Sequence, residues 1–532
     1  MPMLFSGVLI LGMVFGFLLN RSSTLKKGIT SIIQNDRLEE IISLINNRYV
    51  DEVDEEEIYR EGINGILSKL DPHTFYIPPE NVNKTNDNLK GNYKGIGLEY
   101  NIIDDTLVIV SIIRNGPAYS AGLSLGDKII AINDVAVSRD GITMDEVRNV
   151  LRASSSDTIL LKVLPYAAQQ SSAFALVRQS IHVSSVDLAY LIRPGIGYIR
   201  INKFTEDTYR EFREALNGLD PYALNGLVLD LRQNTGGYIE TAIQVLDELF
   251  EEKRLLLTID GKTFSKEQYT STSGGTFEEG RVVVLIDETT ASSSEIVAGA
   301  IQDWDRGVVI GRPSFGKGLV QEQFDLSDGS ALRLTIARYY TPTGRSIQRD
   351  YSKGRDSYDK ESEARTTDYA PLPVTEAGDT RYYTLRNRRT VYGGVGIVPD
   401  VYIPYRDYML RANMWHVANG LESFVNNYFS THLKDFTKYH TFEDFNSNFH
   451  IDHRILQAFR SELNEAFADN ANSVWKNPQK LDYLKMLMKA HFARLIYRNE
   501  GFYRVMNEKN DMVLKAVDVL QTVQYNKLLH NK

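Results

Sequence analysis

Val282-Val283-Val284-Leu285-Ile286 is followed, after a short polar stretch, by Ala291-Ser292-Ser293-Ser294-Glu295-Ile296. Five consecutive aliphatic residues between polar neighbours read as a strand buried on both faces. The Ser-x-x-Glu pattern after it reads as a helix start, with Ser292 at the N-cap and Glu295 at the capping-box position. A buried strand entering a capped helix is half of an α/β unit, and the neighbouring segments repeat it. Ile196 to Phe204 reads as a strand and Thr205 to Leu216 as a helix. Leu227 to Leu231 reads as a second apolar strand, Ile239 to Phe250 as an amphipathic helix, and Val308 to Ile310 as a further strand. Residues 195–345 are therefore expected to form an α/β core. Ser327-Asp328-Gly329, between Leu319 to Leu326 and Ala331 to Tyr340, predicts a hairpin.

A serine at a helix start has two readings. The local one is a cap. The chemical one is a nucleophile beside unpaired backbone N–H groups, which can hold a developing oxyanion. Lys317 lies 25 positions after Ser292, in Ser314-Phe315-Gly316-Lys317-Gly318, and Gln321 follows four residues later. No histidine occurs between His182 and His416, so a local base for Ser292 is more readily a lysine. Lysine serves as a base only when neutral, which requires burial or nearby positive charge to lower its ordinary pKa near 10.4. Taken alone, Gly-Lys-Gly is a surface turn, and Gln321 either orients the amine or faces solvent. Asn234-Thr235-Gly236-Gly237 is a tight turn or a set of backbone donors that a substrate can approach closely. Asp303, eleven positions after Ser292, reads as a structural helix residue.

The 532 residues carry a net charge of −9, with 42% hydrophobic and 24% charged residues. This describes an ordinary folded chain of several domains and argues against a general nucleic-acid binder. The absence of cysteine excludes disulfides, thiolate metal sites and a cysteine nucleophile. Leu4 to Leu19 is almost wholly apolar, a signal-peptide core or a short membrane anchor, with the uncleaved anchor preferred. Arg21, Lys26 and Lys27 follow that run and would favour a cytoplasmic placement of that flank, against export. Residues 34–70 show helical periodicity broken at Leu70-Asp71-Pro72-His73. Short alternating strands occupy 91–164, with a helix from Thr143 to Leu151 capped by Thr143 and Glu146. Residues 349–385 read as an exposed polar insertion, and long helical patterns follow Asp407.

These motifs together resemble the carboxy-terminal processing proteases, or tail-specific proteases, of the S41 serine/lysine class. The likeness spans roughly residues 35–405. It rests on Leu70-Asp71-Pro72-His73-Thr74, Gly95-Ile96-Gly97-Leu98, Asn115-Gly116-Pro117-Ala118, Gly126-Asp127-Lys128-Ile129 and Leu229-Asp230-Leu231-Arg232-Gln233-Asn234-Thr235-Gly236-Gly237. It continues through Ser292 to Ile296, Ser314 to Gln321, Tyr340-Thr341-Pro342-Thr343-Gly344 and Gly394 to Asp400. The resemblance implies Ser292 as nucleophile, Lys317 as general base and Gln321 as the residue that positions the lysine. It implies backbone oxyanion donors at Ser293 and in the Gly236-Gly237 turn, and no metal or other cofactor. Two positions depart from the family pattern: Thr235 stands where proline is usual, and Ser293 where alanine is common. The second departure leaves two hydroxyls side by side.

The resemblance also implies a multidomain α/β protein. Its parts are an anchor segment at 1–24, an N-terminal helical region at 25–85, a PDZ domain at 86–170, a protease core at 171–405 and a C-terminal helical domain at 406–532. A PDZ domain captures a C-terminal carboxylate on backbone N–H groups and adds the peptide as a strand. Here Gly95, Ile96, Gly97 and Leu98 would form the carboxylate loop. Val147 and Leu151 would line an apolar pocket, unless they are ordinary helix core. The expected partners are protein substrates with apolar C-termini, with no nucleic acid. The expected location is a bacterial envelope, on the periplasmic side of the inner membrane. Oligomerisation or adaptor docking is the role left for the C-terminal helices. The rival reading is a non-catalytic PDZ-containing binding protein on the same fold.

Overall fold

The computed structural model describes residues 36–530, except 104, 114–115, 154–155, 167, 169, 264, 368–379, 406–414 and 463–473. The apolar segment 1–24 and Asn115 lie outside the described residues. Among those described, no helix is long and apolar enough to cross a membrane. The chain divides into two compact units, Met1–Tyr76 and Ile77–Lys532.

In the first unit the helical periodicity resolves into two helices, α1 (Asp36–Arg48) and α2 (Glu55–Leu67). The Asp54 side chain caps α2 by accepting the Glu57 N–H. The Asp71-Pro72-His73-Thr74 stop is a carboxylate-centred turn: Asp71 accepts the His73 N–H at 2.9 Å and the Thr74 hydroxyl at 2.7 Å.

The second unit begins with an antiparallel sheet of the PDZ type. Its strands are β1 (Asn92–Gly95), β2 (Leu98–Ile103), β3 (Thr106–Ile112), β4 (Lys128–Ile132), β5 (Thr158–Leu164), β6 (Ser172–Val177) and β7 (Gln179–His182). The order is β2-β3-β4-β5-β6, with β2 at the edge, and β1 pairs separately with β7. Helix α3 (Met144–Ala153) starts at the predicted cap. Thr143 Oγ1 accepts the Glu146 N–H, and the Glu146 carboxylate accepts the Thr143 N–H.

The core sheet runs β8 (Val186–Arg193), β9 (Ile196–Ile201), β10 (Gly226–Asp230), β13 (Arg281–Ile286), β14 (Gly307–Gly311) and β17 (Val401–Tyr402). The first pair is antiparallel and the rest are parallel. Every residue of β10 and β14 is buried, which is why these segments read as unbroken apolar runs. The period-2 alternation of a strand splits them between two faces. Leu227, Leu229, Val282 and Val284 pack under helices α4 (Thr208–Gly218), α5 (Ile239–Asp247) and α6 (Ser293–Asp303). Val228, Val283, Leu285 and Val308 face the other way. There they meet Met512, Val513, Ala516 and Leu520 of α10 (Asp511–Gln521) and Tyr525 and Leu529 of α11 (Gln524–His530). The end of the region read as a helical tail thus closes one face of the core sheet.

A second, antiparallel sheet holds β11 (Leu255–Gly261), β12 (Glu267–Thr270), β15 (Leu319–Asp325) and β16 (Ala331–Tyr340). The last two form the predicted hairpin. Part of the expected polar insertion is helix α7 (Arg355–Thr367), and it is not loose. Arg349 stacks between the rings of Phe315 and Tyr358, and Arg365 donates to the Ser314 carbonyl at 3.1 Å. Helices α8 (Trp415–Thr431) and α9 (Pro478–Asn507) enclose a separate aromatic core of Phe424, Phe436, Phe445, Phe449, Phe459 and Phe492.

Candidate active site

Strands β10 and β13 are parallel and in register, Asp230 opposite Leu285, so the segments after them leave the sheet side by side. In open α/β sheets this carboxyl end is where ligands bind. The two segments are tied together by short polar contacts. Asp287 accepts the Gln233 N–H, Thr290 Oγ1 donates to the Leu231 carbonyl, and the Ala291 N–H donates to the Asn234 carbonyl. Ser294 Oγ donates to the same Asn234 carbonyl, and Ser293 Oγ to the Gly237 carbonyl at 2.8 Å.

Gly236 and Gly237 have φ of +92° and +151°. A Cβ at Gly236 would stand 2.7 Å from Ser292 Cβ and 2.9 Å from the Ser293 nitrogen; one at Gly237 would overlap the Phe204 carbonyl. The turn therefore lies directly against Ser292, and only glycine fits. The Gly236 N–H is held at 2.9 Å by the side-chain oxygen of Asn234. This corrects the expectation for Gly236: it is a packing position whose donor is already used. The Gly237 and Ser293 N–H groups donate to no acceptor among the described residues.

Ser292 sits at φ 54°, ψ −118°, outside the extended region usual for an N-cap. It nevertheless pairs with Glu295 as the predicted capping box, the Ser292 N–H donating to the Glu295 carboxylate at 2.9 Å. A non-glycine residue at positive φ costs about 1–3 kcal/mol and persists only where its surroundings hold it. Here the Ser292 carbonyl accepts the Glu295 and Ile296 N–H groups and the Tyr339 hydroxyl. The neighbouring hydroxyl of Ser293 is different: the residue is fully buried and its Oγ is committed to Gly237. Ser292 is half-buried, so its hydroxyl is the more accessible of the two.

The lysine loop is assembled on Glu295. This fully buried carboxylate accepts the Ser292 and Lys317 N–H groups on one oxygen, each at 2.9 Å. On the other it accepts the Gly316 N–H at 2.7 Å and the Ser314 hydroxyl at 2.5 Å. Burial pushes the Glu295 carboxyl up, and these four donors oppose the shift. Lys317 Nζ donates to Gln321 Oε1 at 2.7 Å, across the start of β15. Asp303, by contrast, is structural: it pairs with the buried Arg345 at 2.8 Å and accepts Thr341 and Thr343.

Glu295, Asn234 and Tyr339 were not singled out as site residues by sequence reasoning. Glu295 was legible only as half of a cap, and Asn234 only as a turn former. Tyr339, beside the Tyr340-Thr341-Pro342 motif, carried no local signal.

In the PDZ sheet, Gly95 lies in β1 opposite Gln179, and Gly97 has φ +73°. The Ile96 and Gly97 carbonyls accept the Ala118 and Ile113 N–H groups, while the Ile96 and Gly97 N–H groups donate to no acceptor among the described residues. Leu98 opens the edge strand β2. Val147 is wholly buried in the domain core, so it is a packing residue; Leu151 is half-buried at the rim of the same cluster.

An α/β core with a strained helix-start serine against a bare-amide turn, joined to a PDZ sheet, defines a PDZ-bearing hydrolase of the serine type. Comparison with known proteins agrees. Peptidase family S41 matches residues 195–353, a PDZ domain matches 108–165, and a family of unknown function, DUF8443, matches 417–498. The carboxy-terminal-processing protease of Bartonella bacilliformis is 35% identical over 316 residues, 59% of this chain and 72% of that protein. The carboxyl-terminal-processing protease of Synechocystis is 35% identical over 301 residues, 55% of this chain and 69% of that protein. The solved photosystem II D1 C-terminal processing protease is 25% identical, with a TM-score of 0.36, over 68% of this chain and 85% of that one. The chain belongs to the S41 family of serine peptidases, among its PDZ-bearing carboxy-terminal processing proteases.

The close approach at Gly236 gives a direct expectation. Gly236→Ala must move either Ser292 or the turn, and displacements of that size cost about tenfold or more in turnover. Turnover by a folded Gly236→Ala enzyme, measured on an unfolded protein substrate, checks this; an unchanged rate would show that the contact has no bearing on the serine.

Proposed function

We propose that the chain is an endopeptidase with a Ser292–Lys317 dyad, which recognises protein C-termini through its PDZ domain and processes or degrades envelope proteins. The observation that carries this reading is the pair of hydrogen bonds on one Glu295 oxygen, from Ser292 N–H and Lys317 N–H, with the Lys317 amine held by Gln321. A neutral lysine amine has two N–H donors and one lone pair. Giving one donor to Gln321 restricts the directions the lone pair can take.

In the reaction Lys317 takes the Ser292 proton as the oxygen attacks the scissile carbonyl. The N–H groups of Gly237 and Ser293 receive the oxyanion, each such donor contributing about 2.7–4 kcal/mol to the barrier reduction. Lysinium then protonates the leaving amine, and water hydrolyses the acyl-enzyme with the lysine again as base. In the PDZ domain, the open amides of Ile96 and Gly97 and the place of β2 at the end of its sheet suit a terminal carboxylate and an added strand, with Leu151 beside the apolar terminal side chain. The envelope location and the membrane anchor rest on the apolar run Leu4 to Leu19.

A slowly deacylating ester substrate tests the nucleophile. Intact mass should rise by one acyl group, and peptide mapping should place it on Ser292. An adduct on Ser293, or none on an enzyme that still cleaves unfolded protein, would refute the assignment.

A further inference from the structure

We propose that Tyr339 is a positioning residue for the peptidase reaction, its buried hydroxyl fixing the main chain of the base relative to that of the nucleophile. The proposal rests on the Ser292–Lys317 reading above. The two residues belong to different elements, Ser292 to the start of α6 and Lys317 to the loop before β15. Their side chains can share a proton only if those elements keep a constant separation.

Tyr339 spans that gap. It lies in β16, between β11 and β15, with Ile259 opposite it and its own N–H donating to the Gly318 carbonyl at 3.1 Å. The ring is fully buried among the side chains of the main core, so it has little freedom to move. Its hydroxyl donates to the Ser292 carbonyl at 3.1 Å and, at shorter range, to the Lys317 carbonyl. One O–H shared between two acceptors is a three-centre bond, and it holds only while both carbonyls stay in place. Burial, and then the charge of Glu295, push the phenol well above its ordinary pKa, so the group keeps its proton and remains a donor.

Glu295 does the matching work on the N–H side, gathering Ser292, Gly316 and Lys317. The carboxylate and the phenol thus clamp the two main chains from both polarities. Without the Tyr339 hydroxyl, the Ser292 carbonyl keeps the Glu295 and Ile296 N–H groups, at 2.8 and 3.0 Å. What is lost is the donor that ties the Lys317 carbonyl to that of Ser292, so the main chain of the base is less firmly held against the nucleophile. An amine that gains water keeps its proton to higher pH. A loosened lysine should then show itself as a shifted pH profile as well as a lower rate.

The test uses the full chain and a fluorogenic peptide with an apolar C-terminus. Tyr339→Phe should lower kcat about tenfold to a hundredfold, as small misplacements of reacting groups do, and leave KM within about twofold. Its rising limb of kcat against pH should move upward, recovering part of the rate in alkali. Tyr340→Phe, half-buried on the same strand, is the control and should match the native enzyme. Para-aminophenylalanine at 339 fills the same space and offers N–H donors, so its kcat should return to within about threefold of native.

A folded Tyr339→Phe enzyme with native kcat overturns the proposal, as does a slow one with an unmoved limb. If Tyr339→Phe does not fold, the aminophenylalanine enzyme decides: a folded protein with kcat a hundredfold down also overturns it. Ser292→Ala and Lys317→Ala are run alongside. Activity retained there defeats the dyad reading itself, whereas inactive dyad variants beside a native Tyr339→Phe defeat only the role of Tyr339.

Discussion

Ser292→Ala and Lys317→Ala should each lower kcat by about four to six orders of magnitude, and the double variant should be no slower than the worse of the two. The N–H and carbonyl of Ser292 hold its strained backbone. Alanine keeps those main-chain contacts, so the protein should fold and still bind peptide. Lys317→Ala likewise retains the N–H bonded to Glu295 while removing the amine on Gln321. In the proposed dyad the two groups act on one proton, so losing either disables the same step, and the costs do not add. Lys317→Arg should not rescue, because a guanidinium does not give up its proton at any working pH. Single-turnover cleavage of an unfolded protein, with peptide affinity measured separately, checks both halves. A single variant retaining a tenth of native turnover would end the dyad assignment.

Much of the scaffold was legible because it follows local rules. Val282 to Ile286 reads as a buried strand and is one. The Thr143–Glu146 cap and the turn at Ser327-Asp328-Gly329 form where residue chemistry places them. The dyad candidates were legible through their spacing and through family likeness.

What was not legible depends on partners distant in sequence. Ser292-x-x-Glu295 reads as a capping box and forms one, yet the same Glu295 carboxylate also holds a loop some twenty residues further on. Gly236 reads as an oxyanion donor until Asn234, two residues away, takes its N–H. Val147 and Leu151 sit four apart on one face of a helix, and periodicity alone does not say which is core and which is rim. The helices at 511–530 read as an appended tail because nothing in an amphipathic pattern names the surface it covers; that surface is the back of the core sheet.

Asp230→Asn should destabilise the core by roughly 3–5 kcal/mol, the usual result of breaking one side of a buried ion pair. Asp230 ends an apolar strand and is completely buried. Its carboxylate accepts Arg200 Nη1 at 3.0 Å, Arg232 Nη2 at 2.6 Å, the Arg232 N–H at 3.0 Å and the Tyr198 hydroxyl. Burial alone would raise its pKa, but the charges of Arg232 and Arg200 and the bonds from Arg232 and Tyr198 outweigh burial and hold it below the ordinary range. An amide would leave both arginines short of charge. Arg200 would keep Asp187 at 3.2 Å, whereas Arg232 would be left with the side-chain oxygen of Asn510. The sign with pH follows from the depressed pKa. The contribution is complete above the ordinary carboxylate pKa, about 4, and is lost as pH falls from there toward the lower folded value. The stability gap between native and Asp230→Asn should therefore be constant through neutral pH and narrow below about pH 4. Urea unfolding of the core at several pH values measures it. A gap that is absent at pH 7, or that widens in acid, would mean the carboxylate is not the centre of this cluster. Arg232 leads directly into the Gln233 to Gly237 turn, so the charge that stabilises the core also anchors the loop that meets Ser292.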